Sequence, residues 1–170
     1  MPFPEWEAGM RITHTRLDDR NVHFVEQGSD QTENSNTTLV DTNLAFEGVA
    51  DAEYWYVALI SYSAATTPDL KFAWDVPSGA GVRRFTQSLI EGAASGVNAG
   101  ADVIMRTPGT GTEIIAGGAG DGAFNLARDE GIITMGGTAG DVTLQFAQEN
   151  SDAGDTIFRA QSRLIYQRIA

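Results

Sequence analysis

The 170-residue chain reads as an all-β protein of antiparallel strands behind an extended amino-terminal arm. Three observations lead there. From Leu39 onward, short apolar runs recur about every 8 to 14 residues, the spacing of a sandwich or barrel. No helix-period segment of ten or more residues survives in that region, Leu89 to Ala94 being a short competitor weakened by Gly92. Between Gly92 and Gly140 lie 13 of the 19 glycines, a density that marks tight turns, bulges and close backbone approach within β-structure.

The chain opens with MPFPEWEAGM, whose two prolines and large aromatics, Phe3 and Trp6, lack periodicity. It reads as an extended arm whose aromatics need somewhere to dock. Residues Thr15 to Arg20 have the pattern of a short helix. The stretch Glu26 to Thr38 is almost purely polar and has the composition of a linker. The expected organisation is therefore arm and linker over 1–36 and a β-domain over 37–170. Deleting residues 1–25 should leave that domain folded.

Expected strands follow at Thr38–Val40, Leu44–Val49, Glu53–Ala64, Asp69–Val76, Val82–Leu89, Ala101–Arg106, Thr112–Ala116, Ala123–Arg128, Gly131–Met135, Asp141–Gln148, and Thr156–Ile169 in two parts. The stretch Glu53 to Asp75 is the centre, with five of the seven Trp and Tyr residues. Its first run is apolar on both alternating faces, which suits a central strand covered on two sides. In the second, Leu70, Phe72 and Trp74 share one face. Pro68 interrupts the ladder between them, and the pair reads as a hairpin or meander. Trp55, Tyr56, Tyr62 and Trp74 are then core residues before they are sugar-stacking ones, and Trp74→Ala should cost about 3 to 5 kcal/mol. The closing run places Phe158, Ser162, Leu164 and Tyr166 on one parity, so loss of the carboxyl end should unfold the domain.

A net charge of −12 argues against a nucleic-acid partner, which would require a concentrated positive surface. Lys71 is the one lysine among 11 basic residues. That bias fits a GC-rich genome or, with the acidic excess, a halophilic host. There is no cysteine, hence no disulfide and no thiolate metal site. Neither a signal peptide nor a membrane span is expected from the hydropathy pattern.

The sequence points to no enzyme and no cofactor. Both histidines, His14 and His23, fall in the arm region, and neither a nucleophile elbow nor a zinc-protease motif is present. Gly109–Glu113 lacks the lysine of a phosphate loop, and the single Gly117–Gly122 repeat is too little for a calcium β-roll, so both read as turns. Asp102, Glu113, Asp121, Asp129 and Glu130 are glycosidase candidates by type alone. Asp152 and Asp155 are candidates for a loop calcium ion.

Three blocks, WEAGMRITHTRL, TTLVDTNLAFEGVADAEYWYVALISYSAATTPDLKFAWDVPSGA and GDVTLQFAQENSDAGDTIFRAQSRLIYQRI, resemble virion structural proteins of tailed bacterial and archaeal viruses. In that group an arm of the form W-x-A-G-x-x-I-T-x-x-R-L precedes a β-sandwich of jelly-roll-like strand order. The resemblance implies a non-enzymatic capsid decoration, head-fibre or minor tail protein. Phe3 and Trp6 are the docking aromatics of the arm, and matching to the pattern makes Trp6, Gly9, Ile12 and Leu17 its anchor to the virion or a neighbouring subunit. Asp18-Asp19 departs from the asparagine usual after that leucine. Partners would be other copies of the chain, as a trimer first and a pentamer second, and the major capsid or tail proteins. The competing expectation is a carbohydrate-binding or host-recognition module on the same particle, reading a host-surface glycan through loops within Gly92 to Gly140.

Overall fold

The structure, a computed structural model, describes residues 8–11, 13–14, 20–90, 103–120 and 122–170. They form twelve strands: β1 His23–Glu26, β2 Gln31–Glu33, β3 Val40–Gly48, β4 Glu53–Ala64, β5 Leu70–Asp75, β6 Gly81–Leu89, β7 Val103–Arg106, β8 Ile114–Ala116, β9 Asn125–Thr134, β10 Gly140–Gln148, β11 Thr156–Phe158 and β12 Arg163–Arg168. All pairings are antiparallel.

Strands β3 to β10 pair outermost with outermost: β3 with β10, β4 with β9, β5 with β8 and β6 with β7. Successive pairs fall in alternate sheets, and β10–β5 and β9–β6 join them side by side. The result is one long hairpin rolled into two sheets, β3-β10-β5-β8 and β4-β9-β6-β7, which is the jelly-roll winding. Strand β12 continues the larger sheet past β4, and β1 lies beyond it. Strand β11 pairs with the far end of β4 and with β2.

The core lies between the sheets, where the inward parity of each strand meets. Tyr56, Ile60 and Tyr62 of β4 face Phe72 of β5 and Leu144 and Phe146 of β10, all fully buried. Aromatic pairs fix the packing. Tyr56 meets the edge of Trp74 at 4.9 Å, and Phe46 stacks on Tyr166 at 4.2 Å.

Several expectations are corrected. Residues 26–38 are not a free linker, because β1 and β2 lie in or beside that stretch and are sheet strands. β1 pairs with β12 over Glu26↔Arg163, and β2 with β11. β2 was hidden by its polarity, being an edge segment of only three residues whose ladder is backbone, and β1 by its brevity, four residues with Phe24 facing outward. A deletion reaching residue 25 would therefore remove a strand. The expected helix at Thr15–Arg20 falls mainly outside the described residues.

β4 and β5 do not pair with each other. The turn containing Pro68, with Asp69 at φ 42°, carries the chain from one sheet to the other. A strand's periodicity reveals its buried face but not its neighbour. Nor is β4 covered on both sides, since Trp55 is 37% exposed on its outer face. The two runs expected at Thr38–Val40 and Leu44–Val49 are one bulged strand, β3, whose register against β10 shifts between Thr143 and Gln145. The two runs expected on either side of Asp129-Glu130 are likewise one strand, β9.

Candidate functional site: the outer face of the large sheet and the buried carboxylate beneath it

Strand β9 runs through the middle of the large sheet and sends Asp129 inward and its neighbours Arg128 and Glu130 outward. Asp129 is fully buried. Four side chains converge on it. Tyr56 Oη and Trp74 Nε1 donate to Oδ2 at 2.9 and 2.8 Å, and Thr86 Oγ1 donates to Oδ1 at 2.5 Å. The Arg84 guanidinium sits 3.5 Å from Oδ2 and also donates through Nη2 to the Thr112 carbonyl. Burial, followed by the Asp129 charge and hydrogen bond, pushes the Tyr56 hydroxyl far above the ordinary phenol range.

This arrangement holds a charge pair in place and offers no reacting group to solvent. The carboxylate's acceptor sites are filled from both sheets. Arg84 Nε and Nη1 are buried without a hydrogen-bond partner, so the network is incompletely satisfied.

Other acidic candidates serve local structure. Glu113 lies 3.5 Å from Lys71 Nζ, and Glu130 pairs with Arg128. Asp152 Oδ1 accepts from Gly154 N at 2.7 Å, and Asp155 from Asn34 at 3.3 Å. Asp102 and Asp121 lie outside the described residues. Among the described residues, no group of three or more His, Asp or Glu side chains is placed to hold a metal ion. His23 stacks on Tyr166 at 4.9 Å as part of β1, and His14 is exposed. The glycine stretches make local turns, with Thr112 N bonding the Gly109 carbonyl at 3.3 Å and Ala123 N the Gly120 carbonyl at 3.1 Å, while Gly118 N bonds Asp69 Oδ1 at 2.6 Å.

Of the arm residues, Phe3, Trp6, Ile12 and Leu17 lie outside the described residues. Gly9 is exposed at φ 87°, the left-handed region that favours glycine.

The outer face of the large sheet was not anticipated. Register aligns three rows across it. One runs Phe24, Ile165, Val57, Glu130, Phe85; the next Glu26, Arg163, Leu59, Arg128, Gln87, Met105; the third Gln167, Trp55, Ile132, Arg83. Met105 is 79% exposed, Phe24 70%, Phe85 61% and Leu126 59%. Two clefts flank Phe85. One, of about 310 Å³, is lined by Gln87, Met105, Arg106, Arg128 and Glu130; the other, of about 590 Å³, by Arg83, Pro108, Thr110 and Ile132. The signal was in the sequence, since Phe85, Met105 and Leu126 sit on the wrong parity for the core.

The sequence matches no protein-family model and no curated protein. Among solved structures, the chain is similar to the tripod from the baseplate of bacteriophage Tuc2009, with 10% identity over 96% of this chain and 73% of that one and a TM-score of 0.29. It is also similar to chains from infectious bursal disease virus: a strain Gx structure with 14% identity and a TM-score of 0.21, and a VP2 subviral particle with 11% identity and a TM-score of 0.24. These alignments span 100% and 99% of this chain and less than half, 43% and 46%, of the viral chains. Such scores lie below the level at which a shared function follows.

Proposed function

We propose that this protein is a non-enzymatic structural component of a tailed-virus particle, present in several copies on the head surface or tail and anchored by its amino-terminal arm. The observation that carries the reading is the outer face of the large sheet, which leaves Phe24, Phe85, Met105 and Leu126 open on a jelly roll. Exposed apolar side chains gathered on one sheet face mark a site of assembly. The resemblance of the arm and of the Thr37–Ala80 and Gly140–Ile169 blocks to tailed-virus proteins supplies the setting. Partners are other copies and the major capsid or tail protein, with no cofactor.

Removing residues 1–19 tests the arm. The deletion stops before Arg20 because its carbonyl accepts from Gln167 Nε2 at 2.8 Å. The truncated protein should fold and fail to enter particles; normal incorporation would contradict anchoring.

A second reading, a glycan-binding module on the same particle, is favoured by one feature. The exposed Phe85 ring is flanked by clefts carrying Gln87, Arg106, Arg128 and Glu130, an apolar platform with polar groups beside it. Saturable glycan binding abolished by Phe85→Ala would support it, and binding that survives that change would count against it.

A further inference from the structure

We infer that the outer face of the large sheet is where a second copy of this chain docks, sheet against sheet. This names the partner of the surface on which the proposed function rests.

Charge selects a copy of the same chain. Among the strand residues pointing outward on this face, Arg83, Arg128 and Arg163 balance Glu26, Glu53 and Glu130, and two of the arginines are already paired, Arg163 with Glu26 at 3.1 Å and Arg128 with Glu130. The whole chain carries −12. On the small sheet, the outward positions Asp41, Glu47, Asp75 and Asp141 face Lys71 alone. Two such chains repel through their acidic sides, and the neutral apolar face is where they can touch.

Size agrees. The six strands β1, β12, β4, β9, β6 and β7 run from four to twelve residues; at about 3.3 Å per residue and about 4.8 Å between strands they make a face of about 700 Å². A standard stable interface buries about 800 Å² per partner. The middle of this face carries Val57, Leu59 and Ile132 beside the already neutralised Arg128–Glu130 pair, with Phe85 on the adjoining strand.

The test is the mass of purified full-length protein from about 1 to about 100 micromolar, by light scattering and native mass spectrometry. The expected wild type is a multimer whose association strengthens as salt screens the acidic sides. Phe85→Glu with Met105→Glu should yield a folded monomer, weakened at least about a hundredfold, because each carboxylate would be buried unpaired. Both positions are exposed, so folding is expected to survive; Met105→Lys alone gives the same readout if it does not. Asp41→Lys on the small sheet should not weaken association, and a lower mass for it would count against the inference. A wild-type monomer throughout, or a multimer indifferent to the substitutions on this face, would overturn the inference. Because the assay uses no particles, its outcome is separate from whether the protein is found in a virion.

Discussion

Trp74 on the small sheet donates its indole N–H to the carboxylate of Asp129 on the large sheet, at 2.8 Å. With the Tyr56 ring 4.9 Å away and also bonded to Asp129, this is a polar rivet through the apolar core, joining β5, β4 and β9. It fixes how the sheets face each other, and so the position of the outer face carrying Phe85, whose neighbours Arg84 and Thr86 both reach the same carboxylate.

Asp129→Asn keeps the shape and removes the charge, which leaves Arg84 buried without a counter-ion. A loss of about 3 to 5 kcal/mol is expected in urea unfolding. Replacing both groups, as Arg84→Met with Asp129→Leu, should cost clearly less than the single change. Equal losses in the single and double variants would show that the pair does not act as a unit.

Gly131→Ala should be among the most damaging small substitutions. A Cβ there would lie 2.0 Å from the Arg83 carbonyl oxygen and 2.8 Å from the Arg84 Cα, both backbone atoms that cannot swing aside. The expected outcome is a destabilisation above about 2 kcal/mol or failure to accumulate as soluble protein. Gly137→Ala, with nothing near the added methyl, is the matched control.

Alkaline pH should unfold the protein through its tyrosines. Burial raises the Tyr56 and Tyr62 hydroxyls well above the phenol range, with Asp129 and Asp69 adding to it. Both therefore bind their protons more tightly folded than unfolded. The stability they contribute is complete below the unfolded value of about 10 and falls as pH rises above it. In an ultraviolet titration these two should ionise together with loss of near-ultraviolet circular dichroism. Ionisation in a still-folded protein would contradict their burial.

Much of the fold was legible because most strands obey a two-residue period: Leu70, Phe72 and Trp74, or Val142, Leu144 and Phe146, announce their buried face directly. Three things were hidden for physical reasons. Asp129 breaks the apolar parity of β9, so the strand read as two, although its partners come from β4, β5 and β6, distant in sequence. β1 is only four residues long and β2 is a polar edge segment of three, and both pair through backbone. The outer face is written as exceptions to the rule, with Phe24, Phe85 and Met105 outward, and an apolar residue on the outer parity becomes visible only once register places it beside others.

The central claim, that this is a multi-copy structural protein of a virus particle, is tested most directly by a density map of the intact particle by electron cryo-microscopy. The account predicts jelly-roll density at a symmetric site on the head or tail, with the Phe85 face of the large sheet covered. Particles without this density, or copies exposing the Phe85 face to solvent, would contradict it.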